Sequence, residues 1–279
     1  MSQALLTDRP ALLRARARAL RQPEPALFLH EMAVAEVQER VGLVNRTFTA
    51  PAVVTGFAGL WHSALPAARV VADDDTLDLA PGAHDLVVHA LALHWANDPV
   101  GQIIQCRRAL RPDGLFLGLV LGGRTLHELR AALAEAETQV TGGLSPRVLP
   151  MGDIRDLGAL VQRAGLALPV ADSFTRSVAY RDLPHLAADL RAMGETNALA
   201  ARLRRPTARA VFARAGEIYA CTFPGPDGRI TASFEIVCLT GWAPHESQQK
   251  PLRPGSAAQR LAVALNVTER PLPGTAQDG

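Results

Sequence analysis

Lysine is nearly absent from this chain. Lys250 is the only one among 29 lysine and arginine residues, and the arginines come with heavy alanine usage. That pairing reads as GC-rich bacterial codon usage, so a net charge of only +2 gives no sign of a nucleic-acid partner. Arg14, Arg18 and Arg21 share one helical face, which reads as a solvated face and not a phosphate-binding stripe. Cysteine is scarce too. Cys106, Cys221 and Cys238 are odd in number and far apart, which excludes a disulfide framework or a zinc knuckle and points to a reducing compartment. No apolar run approaches the roughly 18 residues a membrane span requires. Met1 to Leu20 lack an apolar signal core, so the expectation is a cytoplasmic bacterial protein. No His/Cys/Asp cluster has metal-ligand spacing, and Ser63 and Ser145 lack nucleophile-elbow context. Neither a metal centre nor hydrolase chemistry is expected.

What is present is an ordinary globular composition, 48% apolar and 20% charged, on a chain of 279 residues that can bury a large core. Pro10 to Leu20 and Ala26 to Arg40 read as helices, the first capped by Asp8 and the two split by Pro23 and Pro25. The runs Ala52–Val54, Arg69–Val71, Asp85–Val88 and Leu115–Val120 read as buried strands, the third continuing to His94 and Trp95. Further helices are expected over Pro99–Leu110, Leu126–Val140, from Asp153 to near Gly165, over Leu183–Met193 and over Thr207–Ala220, with a last strand Ile230–Leu239. Near-continuous apolar strands alternating with helices predict an α/β fold, a Rossmann-like and mostly parallel sheet covered on both faces. The division expected is N-terminal helices over 1–44, a core over 45–175, a helical C-terminal lobe with a returning strand over 176–250, and a partly disordered tail over 251–279.

Three segments carry candidate chemistry. Thr55-Gly56-Phe57-Ala58-Gly59 ends the first strand in a glycine turn, where backbone amides approach a ligand, although such a turn needs glycine for its own geometry as well. Asp73 ends the second strand, and Ala90 to Trp95 end the third. After the last strand, Gly241 to Pro251 hold His245 and Glu246, residues suited to orienting a substrate or moving a proton, or equally to pinning the loop. A run ending in Gly-Trp reads as a strand delivering that loop to the binding end of the sheet.

The segment 53–120 resembles the core of class I S-adenosylmethionine-dependent methyltransferases. Val71 to Val88, with Asp73, the turn Pro81-Gly82 and the strand Asp85-Leu86-Val87-Val88, carries that likeness, as does the turn Arg111-Pro112-Asp113-Gly114. Leu190 to Asn197, Gly143 to Arg147, Asp156-Leu157-Gly158 and the Gly241–Gln248 stretch are similar to the complex I assembly factors of that superfamily and to the malonyl-carrier-protein O-methyltransferases. The resemblance implies an S-adenosylmethionine cofactor held by Gly56, Ala58, Gly59, Asp73, Ala90 and Leu91, with Leu93, His94 and Trp95 facing the substrate. His94, His245 and Glu246 are then the catalytic candidates, the last two at a lid. It implies a protein side chain or a carrier-linked acid as acceptor and a complex I subunit as partner; no nucleic acid is expected, from the arginine pattern above.

Two departures stand against that implication. No carboxylate precedes Gly56, and only residues 60–72 separate Gly59 from Asp73, so about 25 residues, one βα unit, are missing. Either Asp73 serves the adenine and the ribose strand is lost, or it serves the ribose and the adenine side is lost. Losing two charged hydrogen bonds weakens a ligand by roughly a hundredfold or more. The alternative expectation is therefore an assembly chaperone that keeps the fold and dispenses with the cofactor.

Overall fold

The computed structural model describes residues 5–249, so the expected tail 251–279 lies outside the described residues. Six strands form one sheet: β1 (Pro51–Val54), β2 (Arg69–Val71), β3 (His84–Ala90), β4 (Leu110–Leu121), β5 (Ala167–Tyr180) and β6 (Ile230–Trp242). Their order is β2-β1-β3-β4-β6-β5. The first four strands in the chain are parallel, and β6 runs antiparallel to both β4 and β5. The expected mostly parallel sheet forms, with β6 as its antiparallel member. β2 pairs directly with β1 and is the sheet edge, so the missing βα unit is the outer one and Asp73 follows the strand beside the glycine turn.

The helices are α1 (Arg9–Ala19), α2 (Phe28–Leu43), α3 (Ala58–Ala64), α4 (Pro99–Ala109), α5 (His127–Thr141), α6 (Ile154–Arg163), α7 (Leu183–Ala192) and α8 (Arg209–Thr222). Alternation along the strands sends Val53, Val88 and Leu117 to one face, where Val37 of α2, Trp61 of α3, Leu133 of α5 and Tyr219 of α8 cover them. Val54, Val87 and Phe116 point the other way, onto Ile103 of α4 and Val161 of α6. Gly241 of β6 lets α6 come close: a Cβ there would stand 2.8 Å from Val161 Cγ1 and 2.9 Å from Leu166 Cβ.

The N-terminal segment crosses the carboxyl edge of the parallel strands. Thr7 bridges Leu199, the Asp8 amide donates to the Ala198 carbonyl at 2.8 Å, and Ala200 donates back to Leu6 at 2.8 Å. The Asp8 side chain caps α1 through the Ala11 amide and pairs with Arg202 and Arg204, each at 2.9 Å. α1 then lays Leu12 against Trp95, Leu149 and Leu199.

Two elements differ from the sequence reading. β3 does not continue to His94; it leaves the sheet at Leu91, whose φ of 47° turns the chain, and Leu93–Trp95 form one 3-10 turn. β5, not expected, runs across residues 175 and 176, and the described residues up to His245 form one compact unit.

Candidate functional site at the carboxyl edge

The glycine turn and Asp73 are neighbours, and both are covered by arginine. Asp73 is buried on the loop after β2. Arg16 Nη1 donates to its Oδ1 at 2.8 Å and its Oδ2 at 2.9 Å, and Arg9 Nη1 to Oδ2 at 3.0 Å. Burial would push the Asp73 pKa up, but the Arg16 charge and the bonds from both arginines win and hold it at about 2. Arg16 is itself only 3% exposed, although it sits on a helix that shows Arg14 and Arg18 to solvent. Its guanidinium rests on Gly56, where a Cβ would stand 2.5 Å from Arg16 Cζ and 2.8 Å from Nε. Its stem rests on Gly194, whose φ is +75° and whose Cβ would stand 3.0 Å from Arg16 Cα. The Phe57 ring lies 5.8 Å beneath the charge. Nε and Nη2 of Arg16 are buried with no hydrogen-bond partner.

Further along the edge, Leu121, Thr125, Trp95 and Phe234 line a cavity of about 430 Å³ under α5, α7 and the 193–207 segment. Glu195 stands at its inner end. Trp95 Nε1 donates to Glu195 Oε2 at 2.6 Å, and His94 Nε2 lies 3.6 Å from the same oxygen, beyond hydrogen-bond length. Burial opposes ionisation of Glu195, yet the His94 ring, the Arg16 charge and the Trp95 N–H outweigh it and hold the pKa below the ordinary glutamate value. Of the arginines lining the cavity, Arg147 is held by Glu137 at 2.6 Å and Arg202 by Asp8, while Arg191 is exposed. A gap of about 10 Å³ adjoins this cavity, lined by His30, Leu91, His94 and Glu195.

A methyltransferase-domain model matches residues 42–118 of this chain. The mitochondrial arginine-hydroxylase NDUFAF5 of Danio rerio is 36% identical over 218 residues, covering 77% of this chain and 67% of that protein. The chain belongs to this methyltransferase family. A malonyl-[acyl-carrier protein] O-methyltransferase of Laribacter hongkongensis is 35% identical over 188 residues, covering 67% of this chain and 61% of that protein. Among solved structures, the YcgJ protein of Bacillus subtilis aligns with a TM-score of 0.47 at 11% identity, covering 77% of this chain and 99% of that one. Matches to the arginine-hydroxylase relatives span between 41% and 67% of those proteins' length.

The residues present do not fit the family's cofactor. S-adenosylmethionine would need the space over Gly56 and the carboxylate of Asp73, and Arg16 fills the first and occupies the second. α3, which starts at the turn, has seven residues and no side-chain cap on its first amides. Gly59 and Ala58 are exposed, and nothing lies within 4 Å of a Cβ on Gly59. Ala90 ends β3 in the core and Leu91 lines the small gap.

Of the expected substrate-facing residues, Trp95 lines the cavity beside Glu195, His94 lines the gap, and Leu93 points to the α4 side of the sheet. His89 is buried near the end of β3 and bonds Gln102 through Nε2 at 2.8 Å; its Nδ1 is without a partner. His245 needs correction as a lid residue. Because β6 is antiparallel, Trp242 pairs with Leu115 at the start of β4, and Ala243 donates to the Gly114 carbonyl at 2.8 Å. His245 therefore follows at the edge opposite Gly56, and Glu246 comes after the compact unit ends. Arg9, Arg16 and the role of Glu195 were missed. The spacing of Arg9, Leu12, Arg16 and Ala19 was the available signal, since it sets two arginines on the apolar stripe of α1. Among the described residues, no group of three or more His, Cys, Asp or Glu could hold a metal ion, and no helix is long and apolar enough to cross a membrane.

Proposed function

We propose that this protein acts in respiratory complex I assembly by holding a segment of a subunit in the cavity beside Trp95 and Glu195. Membership of the group that contains the NDUFAF5 proteins supports the assembly role, and the cavity supports a protein segment as ligand. The observation that carries the reading is the charge balance of the cavity. Glu195 lines it ionised, Arg147 and Arg202 are already committed to carboxylates, and Arg191 is exposed to solvent. A carrier-linked acid would meet a like charge at Glu195, whereas a cationic side chain would meet a complementary one. Apolar walls of Leu121, Leu126 and Phe234 suit the aliphatic stem of such a side chain.

The test is binding of the purified full chain to peptides tiled across complex I subunits, beside malonyl-loaded carrier protein. The reading predicts saturable binding to peptides with a basic anchor, weakened about tenfold or more by Glu195→Gln, since a charged hydrogen bond contributes about 1.5–3 kcal/mol. Binding of the loaded carrier protein in preference to every peptide would contradict it.

A further inference from the structure

The crevice between β1 and β2 is filled from within. Gly56 and Gly194 lack the side chains that would otherwise collide with Arg16, one beneath the guanidinium and one beneath the stem. Both oxygens of the buried Asp73 are spent on Arg16, and Arg9 takes a second bond to one of them while also reaching Asp74 at 3.4 Å. The helix that supplies these arginines is fixed by the Thr7–Leu199 bridge and by Asp8 on Arg202 and Arg204. Among the described residues the sheet ends at β2, and no further strand there offers a wall for a base.

We infer that Arg16 is the crevice's own occupant, an internal cation lodged between Gly56 and Asp73, and that this chain has no S-adenosylmethionine site. The glycine turn of the family is kept here to admit a side chain instead of a cofactor. Arg16 thereby becomes the pin that docks α1 onto the carboxyl edge, roofing the region beside the cavity. A sulfonium would meet a like charge at this point, and a ribose hydroxyl would have to displace two charge-assisted bonds from one carboxylate. The unpartnered Nε and Nη2 of Arg16 would suit a ligand carboxylate, which makes direct titration the decisive test. This inference stands apart from the peptide-binding reading, because either can fail without the other.

Calorimetric titration of the full chain with S-adenosylmethionine, and separately with S-adenosylhomocysteine, is expected to give no saturable heat up to millimolar ligand. Saturable micromolar binding of either overturns the inference. Urea denaturation of Arg16→Met, Asp73→Asn and the double variant supplies an independent readout. Asp73→Asn leaves the buried Arg16 guanidinium without its carboxylate and Arg16→Met leaves Asp73 with Arg9 alone, so each is expected to lower the folding equilibrium constant by about tenfold or more, while the double variant loses less than the two single losses added. Losses that simply add would mean that the pair does not form in solution, and would overturn the inference. The titration of the unmodified chain decides the matter even where a single variant fails to fold.

Discussion

Asp73 and three buried histidines set the chemistry of the carboxyl edge, and two of those histidines give it a pH signature. Burial holds His30 and His89 each at about 4, well below the ordinary histidine value of 6.5. Between those values the unfolded chain binds protons that the folded chain refuses, so stability is full above pH 6.5 and falls as the pH drops toward 4. Each histidine contributes a slope of up to about 1.4 kcal/mol per pH unit inside that window. Asp73 acts at lower pH: its contribution is present above about 4 and is lost as the pH falls toward 2. Urea midpoints should therefore hold between pH 7.5 and 6.5 and fall from there to pH 4.5, and His89→Gln should flatten that fall; a flat profile throughout in the parent chain would contradict the burial of these rings. At this scale the sequence misled in one direction. Arginine is ordinarily solvated, so only the spacing of Arg16 between Leu12 and Ala19 could have marked it as buried.

At the scale of elements, β1, β3 and β4 were legible because strands covered on both faces read as unbroken apolar runs, such as Leu115 to Leu121. The caps of α1 and α6 were legible from Asp8 and Asp153, which take the amides of Ala11 and of Arg155 and Asp156. β5 was not, because as an edge strand it buries only part of one face, and residues such as Asp172, Arg176 and Ser177 interrupt its pattern. The direction of β6 was not legible either. An apolar run records burial and says nothing of whether the strand enters the sheet parallel or antiparallel, and that choice moved His245 to the far edge. Gly241 tests how tightly α6 sits on this strand. Gly241→Ala should lower stability by about 1–3 kcal/mol through overpacking against Val161 and Leu166. Gly59→Ala, in the first turn of α3 with open space around it, should leave stability unchanged or raise it by up to about 1 kcal/mol. Equal effects in urea denaturation would mean that α6 is not held at this distance.

At the scale of the molecule, a family fold has been kept while the place for its cofactor has changed use. Among the described residues β2 is the outer strand beside β1, and α1 sets Arg9 and Arg16 over the carboxylate that follows it. The same N-terminal segment ties to the 198–204 stretch, so one set of contacts closes the crevice and shapes the roof beside the Glu195 cavity. Fold alone does not fix function, and here the departure lies in a handful of side chains. The most direct measurement is a crystal structure of the full chain grown with S-adenosylmethionine in large excess. The account predicts Arg16 bonded to both oxygens of Asp73, with protein atoms alone over Gly56. A nucleoside lying between Gly56 and Asp73, with Arg16 swung away, would contradict it.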